Sequence, residues 1–588
     1  MTDYIPEPQI TVLDAGGQYC HLITRKVRDL GVYAEVRDSD TPASQLCNRK
    51  GLIISGGPSS VYEPDSPTVD PAIYEAGPGV LGICYGLQLM ARHLGGTVQK
   101  GDKGEYGLAW LKASDQGRLL KGIASPRQRI WMSHKDLVSA APPGFAISGG
   151  TDTCAVAVIE DADRKLYGVQ FHPEVVHTEC GSQVLSNFLF DVCGCERDWD
   201  PAHRTSLIEK QIREAAGDRK VFFFVSGGVD STVAYTLCLR ALGPERVFGV
   251  YVDTGLMREG ETAFVQRLFA SLGATHFAVE DASERFLRAL DGVRDPEQKR
   301  RIIGTLFVDV QESILERGHF LDSEWILGQG TIYPDTIESG GSKKADLIKT
   351  HHNRVEGIQK LIDAGRIVEP LSFFYKDEVR EIGRELGLPD EFLERHPFPG
   401  PALAIRCLAA ESDAPVRKFD EGWLVPIRSV GVQGDSRSYR AVLALDHFAE
   451  PEAVSHLTNR LAEINRVIAC SAAHVPIGEM QVSAEALTAE RLARLRRADA
   501  IVRRISHDSG FDRQIWQFPV ILIPLGTPAR PDSVVLRPVD SVDGMTAQAV
   551  RIPEDLLRSI CEELLRVEGI CGVFCDLTNK PPGTIEWE

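Results

Sequence analysis

The sequence predicts an α/β protein with two doubly wound parallel-sheet domains, followed by an α+β domain. Short apolar runs alternate with helix-period segments through most of the first two thirds of the chain, as in βαβ units that form parallel sheets. Beyond about Arg406 the pattern changes to Pro-punctuated segments and strand-like runs. The 588 residues are 43% hydrophobic and 25% charged, an ordinary globular composition. This length is enough for roughly three or four domains.

The first predicted domain spans residues 1–203. It opens with a buried strand at Ile10–Asp14, an amphipathic helix at Gln18–Leu30 and a second strand at Leu52–Ser55. The sequence just before residue 203 is acidic and contains a proline, which is typical of a domain boundary.

The second predicted domain spans residues 204–406. A strand at Val221–Val225, a helix at Thr232–Leu242 and a strand at Val247–Val252 form another βαβ unit. This second βαβ unit predicts a second parallel sheet, separate from the sheet of the first domain.

The third predicted domain, residues 407–588, has strand-like runs at Val520–Leu525 and Val534–Pro538. Its Arg-rich helix at Glu490–Arg504 is predicted to present a solvated or inter-subunit face.

The charge balance argues against polyanionic partners. Lys and Arg total 65 against 83 Asp and Glu, a formal net charge of −18, which disfavours nucleic acid and anionic membrane surfaces. The 13 Cys are scattered singly, as reduced thiols are, and no export signal or membrane span is visible. We therefore expect a cytoplasmic protein that binds neither nucleic acid nor membrane.

A candidate nucleophile, Cys84, lies between a buried apolar run and a helix-period segment. Gly82 and Gly86 flank it two positions away on each side, which is the spacing of a nucleophile elbow. A helix N-terminus after the Cys favours its thiolate form. The alternative, a buried structural Cys at a strand end, is weakened by the partners found elsewhere in the segment.

Those partners are His172 and Glu174, which follow another strand-like run. The imidazole can activate the thiol and the carboxylate can orient the imidazole. The loop after Leu52–Ser55 is rich in glycine, so the backbone N–H groups of Gly57 and Tyr85 are candidate oxyanion donors.

At these residues the chain resembles the class I glutamine amidotransferase domain, over about residues 8–195. The resemblance implies a triad of Cys84, His172 and Glu174 that hydrolyses the side-chain amide of glutamine through a thioester and releases ammonia. Lys135 departs from the family pattern, because relatives usually carry Gly at that position.

A second candidate site follows Val221–Val225. The run Ser226, Gly227, Gly228, Val229, Asp230, Ser231 and Thr232 opens a helix, where N–H groups and the helix dipole favour an anion. It lacks the Gly-Lys-Ser/Thr of a P-loop, which argues against Lys-supported γ-phosphoryl transfer.

This loop resembles the pyrophosphate loop of N-type ATP pyrophosphatases, which adenylate an oxygen and expel pyrophosphate. The resemblance implies ATP and Mg2+, with Asp230 as the candidate metal ligand. Asp253, at the end of the next strand, lies where adenine and ribose sit in a doubly wound sheet. Lys376 is expected to meet ATP phosphate as a lid closes.

Six further segments specify the acceptor: Gly328–Ser339, Lys349–Asn353, Lys376–Arg380, Arg395–Pro401, Ser429–Tyr439 and Lys580–Glu588. Together with the two sites they resemble the glutamine-hydrolysing GMP synthetase family over essentially the whole chain. The resemblance implies that XMP, ATP and glutamine give GMP, AMP, pyrophosphate and glutamate. The XMP-binding positions that it implies are Arg300, Asp435, Arg437, Gln517, Lys580 and Glu586.

Some alternatives stay open. The nearest alternative is a pyrophosphatase ligase that acts on another acceptor, such as a tRNA-thiolating or NAD-synthesising enzyme. A second alternative is a non-catalytic binding protein that has the same fold. A lid function is favoured over a metal site for His351 and His352, because no third ligand is evident. The third domain resembles an enlarged form of a dimerisation domain, so both a homodimer and a monomer remain open.

Overall fold

The computed structural model describes residues 7–17, 19–113, 117–123, 127–175, 177–199, 201–333, 335, 356–433, 436–541 and 546–588. These residues form two compact units. The first unit contains the described part of residues 1–211 together with residues 332–333, 335 and 372–375, and the second contains the rest.

The first unit is built on a mixed sheet in the order β2-β1-β3-β4-β9-β8-β7-β5-β6. The strands are β1 Ile10–Asp14, β2 Ala34–Asp38, β3 Gly51–Ile54, β4 Gly79–Ile83, β5 Thr97–Ala113, β6 Arg127–Ala140, β7 Ala146–Gly150, β8 Val158–Asp161 and β9 Leu166–Val169. The pairs from β2 to β9 are parallel and the remaining pairs are antiparallel. The predicted α/β class is confirmed, and the antiparallel half is a feature that the sequence interpretation did not contain.

Helices cover both faces of this sheet, as a doubly wound fold requires. They are α1 Cys20–Asp29, α2 Tyr85–His93 and α3 Gly181–Ser186. Val12 and Ile53 pack with α1 and α3, whereas Leu13 and Ile54 pack with α2. Because successive strand residues point to opposite faces, the continuous apolar runs of β1 and β3 fill two cores at once.

The second unit contains a parallel sheet in the order β12-β11-β10-β13-β14. Its strands are β10 Lys220–Val225, β11 Val247–Asp253, β12 His276–Asp281, β13 Trp325–Gly328 and β14 Ile367–Val368. The helices of this region are α4 Pro201–Ala216, α5 Val229–Leu242, α6 Glu261–Ser271, α7 Ser283–Leu290, α8 Pro296–Arg317, α9 Glu356–Asp363, α10 Lys376–Glu385 and α11 Asp390–Leu393, of which only α4 begins in the first unit. All described strand pairs here are parallel, as the βαβ pattern predicted.

A mixed sheet in the order β16-β17-β18-β19-β26-β23-β21 forms the remainder of the second unit. The strands of this remainder are β15 Ala414–Pro415, β16 Arg417–Phe419, β17 Gly422–Gln433, β18 Ser436–Leu445, β19 Ile464–Ala473, β20 Gln481–Val482, β21 Val520–Ile523, β22 Leu525–Gly526, β23 Asp532–Leu536, β24 Val539–Asp540, β25 Gln548–Ala549 and β26 Ile570–Asp576. Its helices are α12 Pro451–Arg460, α13 Ala489–Asp508 and α14 Glu554–Leu564. None of the described helices combines the length and apolar character needed to cross a bilayer.

The Arg-rich helix α13 has the solvated face that the sequence predicted, where Arg497 and Arg504 are 64% and 54% exposed, but its opposite face is buried. Leu492 and Leu495 are fully buried in the core. Arg491 is also buried, and its guanidinium lies 2.8 Å from the buried carboxylate of Asp532, which Arg494 also contacts. The sequence interpretation did not contain these buried arginines, because the carboxylate of β23 that pairs with them and allows their burial is distant in the sequence.

Asp576, at the end of β26, is a fully buried carboxylate between two fully buried guanidinium groups. Arg466 and Arg537 approach it to 2.8 and 2.6 Å, and the indole N–H of Trp587 donates to it at 3.0 Å. We expect Asp576→Asn to lower the free energy of unfolding of this unit by about 3–5 kcal/mol, because it leaves buried guanidinium charge uncompensated.

Thermal and urea unfolding of the full chain measure this effect. The matched control is Asp152→Asn, which removes the carboxylate of an exposed ion pair with Lys112 and should leave the unfolding midpoint unchanged. Equal midpoints for the two variants contradict the prediction.

Candidate active sites

The backbone at Cys84 is strained, as a nucleophile elbow requires. Its φ of 52° and ψ of −104° lie outside the regions that L-residues usually adopt, and the residue sits between β4 and α2. A Cβ at Gly82 would lie 2.6 Å from the backbone of Gly86, and one at Gly86 would lie 2.3 Å from the carbonyl oxygen of Ile54. Both flanking residues must therefore be glycine for the turn to close.

The structure brings the predicted triad together in the first unit. His172 Nδ1 lies 2.7 Å from Glu174 Oε1, and His172 also hydrogen-bonds to Cys84. All three side chains are buried. Burial lowers the pKa of His172, but the hydrogen bonds to Cys84 and Glu174 outweigh burial and raise it to about 10. A protonated imidazole beside Cys84 stabilises a thiolate there by direct charge attraction.

The triad opens onto a cleft of about 730 Å³. Gly57 lines this cleft beside Cys84, and a Cβ at Gly57 would lie 3.3 Å from the ring of Tyr85. Tyr85 begins α2, so its N–H has no intrahelical acceptor. The two residues that carry the predicted oxyanion donors are therefore in contact with each other, and Tyr85 directly follows the nucleophile.

The cleft also contains polar residues that the sequence interpretation did not assign. His134 is buried in β6, with Nδ1 3.0 Å from the carbonyl oxygen of Asp136 and Nε2 3.4 Å from Glu105 Oε2. Burial lowers the pKa of His134. Lys135 lines the cleft as well. The Ser133–Asp136 segment lies within β6, and alternation along that strand was the available signal.

Aromatic rings surround Arg28 of α1, a second feature that the sequence did not reveal. Its guanidinium carbon lies 4.5–5.3 Å from the ring centroids of Tyr33, Trp199, Tyr333 and Tyr375. Its Nη2 donates to the carbonyl oxygen of Ala34 at 2.7 Å. Stacking of this kind stabilises a buried cation through the ring quadrupoles.

In the second unit, the predicted phosphate loop lies between β10 and α5. Gly227 has a φ of 75°, and Gly228 caps the helix. The hydroxyls of Ser226 and Ser231 are 2.9 Å apart, and the Ser226 hydroxyl accepts from the N–H of Gly228 at 3.2 Å. Thr232 donates its hydroxyl to the Gly228 carbonyl at 2.9 Å. The loop therefore has the anion-binding geometry of a helix N-terminus.

The predicted lid lysine and metal ligand contact each other directly. Lys376 Nζ lies 2.5 Å from Asp230 Oδ2, while the buried Oδ1 of Asp230 has no hydrogen-bond partner. Asp253 ends β11, where it accepts from the Gly255 N–H at 2.8 Å and from the Thr262 hydroxyl at 2.6 Å. The second unit therefore brings Asp230 and Lys376 together, and it fixes Asp253 at a strand end.

Three of the predicted XMP-binding residues each form side-chain hydrogen bonds with a different residue. Arg300 of α8 donates to the main-chain oxygen of Glu588, and Glu586 accepts two bonds from Arg406 at 2.7 and 2.9 Å. Gln517 donates to the carbonyl oxygen of Pro397 at 2.9 Å.

The remaining predicted residues are placed by their backbone alone or lie outside the described residues. The backbone of Lys580 bonds with Ala547. Arg437 is placed by its backbone in β18, whereas Asp435, His351 and His352 lie outside the described residues. Among the described side chains, no cluster of three or more His, Cys, Asp or Glu residues has the arrangement of a metal site.

Three family models match the chain. One described as glutamine amidotransferase class-I matches residues 11–192, and one described as NAD synthase matches residues 202–337. One described as GMP synthase C terminal domain matches residues 505–587.

Curated relatives match over nearly the full length. A Leptospira interrogans protein named "Probable GMP synthase", glutamine-hydrolyzing, is 42% identical over 99% of both chains. Proteins named GMP synthase, glutamine-hydrolyzing, from Caldicellulosiruptor saccharolyticus and Streptomyces coelicolor are each 41% identical over 98% of this chain. The alignments cover 99% and 98% of those two proteins.

The high pKa of His172 gives a testable pH dependence. Because the folded pKa of about 10 exceeds the ordinary value of 6.5, we expect His172 to stay an imidazolium from pH 6.5 to about 9. Its contribution to stability is complete below pH 6.5 and is lost as the pH rises through about 10. Glu174→Gln removes one raising interaction and should lower the titration midpoint. NMR of 13C-labelled His measures the midpoint, with His172→Asn to assign the signal.

A His172 signal that titrates near 6.5 in the unaltered protein contradicts this expectation.

Proposed function

This chain belongs to the glutamine-hydrolysing GMP synthase family, and we propose that its two candidate sites divide the family's reaction between them. The enzyme makes GMP from XMP with glutamine as nitrogen donor and is ATP-dependent. In our proposal, ammonia is made at Cys84 and is consumed beside the Ser226–Ser231 loop. The observation that carries the proposal is the strained Cys84 elbow, with Cys84 and His172 lining one cleft and the buried Glu174 bonded to His172.

The proposed glutaminase step begins with attack of the Cys84 thiolate on the side-chain carbonyl of glutamine. The N–H groups of Gly57 and Tyr85 stabilise the oxyanion that forms. The His172 imidazolium gives its proton to the departing nitrogen, which leaves as ammonia, and a thioester remains. His172, now neutral, takes a proton from water as the water attacks the thioester. Collapse of the intermediate expels the Cys84 thiolate beside the His172 imidazolium, and the product releases a proton to solvent and leaves as glutamate, while Glu174 keeps the imidazole oriented throughout.

The second proposed site adenylates XMP. The N–H groups of Ser226–Ser231 and Thr232 hold the phosphates of ATP, Asp253 contacts the nucleoside, and Lys376 pairs with phosphate once ATP replaces Asp230 as its partner. The unpartnered Oδ1 of Asp230 fits a metal ligand, because ATP supplies further oxygens for the ion. Mg2+ held there would neutralise charge on the pyrophosphate as it leaves.

The proposed XMP pocket uses Arg300, Arg437 and Lys580 for the 5′-phosphate. Asp435, Gln517 and Glu586 are proposed to read the purine edge and the ribose. Adenylation makes the 2-oxygen of the base a good leaving group, and ammonia then displaces AMP.

We propose further that residues 1–203 form the amidotransferase domain, 204–406 the ATP pyrophosphatase domain and 407–588 the dimerisation-type domain. Cytoplasmic location is proposed from the free thiols of the 13 Cys residues.

A second acceptor deserves a direct test, because the model that matches residues 202–337 is described as NAD synthase. ATP cleavage to AMP and pyrophosphate should require XMP. Turnover without XMP, or faster turnover with deamido-NAD, contradicts the XMP assignment.

We expect Cys84→Ala to abolish glutamine-dependent GMP formation and to leave ammonium-dependent formation within about twofold of the unaltered enzyme, since only the nucleophile is lost. GMP formation is measured with each nitrogen donor. Cys47→Ala is the matched control, because Cys47 is an exposed thiol and should keep both activities. Loss of both activities in a folded Cys84→Ala protein contradicts the two-site proposal.

We expect Asp230→Ala to lower XMP-dependent pyrophosphate release by at least about 100-fold, since the phosphate loop loses its only proposed metal ligand. Labelling of Cys84 by a glutamine-like electrophile should be unchanged. Asp309→Asn, which breaks an exposed pair with Arg285, is the control and should retain both readouts. Normal pyrophosphate release by Asp230→Ala excludes the loop as the adenylation site.

A further inference from the structure

A buried ion pair joins α8 to residue 588 within the second unit. Lys299 Nζ lies 2.6 Å from Glu588 Oε2, and the two side chains are 0% and 2% exposed. The ammonium also donates to the carbonyl oxygen of Cys407 at 3.0 Å. Removing two charges from water is costly even when they pair, so stability alone is a weak reason for this arrangement.

Glu588 also holds the next residue of α8. Arg300 donates from Nη2 to the main-chain oxygen of Glu588, while the buried Nε of Arg300 has no partner. Consecutive helix residues point about 100° apart, so Lys299 and Arg300 reach Glu588 from different directions. A single residue therefore fixes the direction of two neighbouring cations, and one of them is a proposed XMP ligand.

The segment Thr584–Glu588 is itself held firmly. Arg466 donates to the carbonyl oxygens of Thr584 and Glu586 at 2.8 and 2.9 Å, and its guanidinium lies 4.8 Å from the ring centroid of Trp587. Trp587 is fully buried, and its carbonyl oxygen accepts from the Val430 N–H at 2.9 Å. Glu588 therefore presents its two acceptors to α8 from a fixed main chain.

The same segment carries the other proposed XMP ligand, Glu586. Its carboxylate accepts two bonds from Arg406, which is fully buried. Arg300 and Glu586 are thus attached to one short stretch of backbone, although they are 286 positions apart in the sequence. A shift of this stretch would move both ligands together.

We propose that Glu588 is a positioning residue for XMP: its carboxylate holds Lys299 and its carbonyl oxygen holds Arg300, so that Arg300 and Glu586 are aligned on the nucleotide. The inference rests on the proposed function, in which those two residues bind XMP. Glu588 does not touch substrate, and its effect is on XMP affinity rather than on ATP or glutamine.

The test is steady-state kinetics of full-length Glu588→Gln with ammonium chloride as nitrogen donor, which bypasses the Cys84 site. We expect the KM for XMP to rise about tenfold, with the KM for ATP and kcat at saturating XMP within about twofold of the unaltered enzyme. Glu588→Asp keeps the charge but shortens the reach and should give a smaller rise in the same constant. Glu563→Gln is the matched control, because Glu563 pairs with Arg504 at the surface and should leave all constants unchanged.

A double-variant cycle separates positioning from general damage. If Lys299 and Glu588 act as one unit, Lys299→Met, Glu588→Gln and the double variant should raise the KM for XMP by similar factors rather than multiplicatively. Thermal unfolding and MgATP protection verify that each variant is folded. If Glu588→Gln unfolds, the same comparison is made with Glu588→Asp.

The Arg300→Gln variant distinguishes an error in the role of Glu588 from an error in the proposed XMP pocket. If the proposed XMP pocket is right, Arg300→Gln should raise the KM for XMP whether or not Glu588 positions Arg300. If Arg300→Gln leaves that constant unchanged, the proposed XMP pocket is wrong and the inference falls with it. If Arg300→Gln raises it while folded Glu588 variants do not, or if those variants raise the KM values for XMP and ATP together, the positioning role of Glu588 alone is overturned.

Discussion

The ends of parallel strands constrain where chemistry can occur in this protein. The backbone of a parallel strand is fully hydrogen-bonded, and the chain is free to turn only where the strand stops. The loops that follow such strands bring residues from distant parts of the sequence to one edge of each sheet. Gly57 follows β3, Cys84 follows β4, His172 follows β9, Ser226 follows β10 and Asp253 ends β11. Since each residue depends on the register of its strand, changes in sheet packing would move several groups at once.

The net charge of −18 does not describe how charge is distributed within this chain, because charged side chains form local pairs. Arg406, Arg466 and Arg537 are fully buried, and carboxylates from distant segments neutralise them. Screening and counterion effects depend on exposed charge, so buried pairs contribute little to long-range attraction. A strongly acidic enzyme can therefore bind ATP and XMP, both anions, while its overall charge still disfavours nucleic acid.

The sequence predicted local features well and long-range pairing poorly. The Cys84 elbow and the Ser226–Ser231 loop are short strings whose glycine spacing is itself the signal, so their positions could be read directly. The pairs Lys299–Glu588 and Arg491–Asp532 join residues far apart in the chain, and no periodicity reveals them. For the same reason the burial of Arg491 in the Arg-rich helix was not predicted. Ala402 has a φ of 55°, a left-handed backbone conformation that favours glycine and that the residue type did not predict.

Two buried ion pairs, Glu174–His172 and Glu588–Lys299, are subject to the same physical constraint. A buried carboxylate is unfavourable unless a cation and hydrogen bonds hold it, and the best geometry for that is narrow. Glu174 meets this condition with His172, and Glu588 meets it with Lys299. An apolar pair of side chains could replace either ion pair and leave the free energy of unfolding unchanged. Such a pair would not fix the direction of a polar group. The requirement for direction, rather than for stability, explains why charged groups occupy these interior positions.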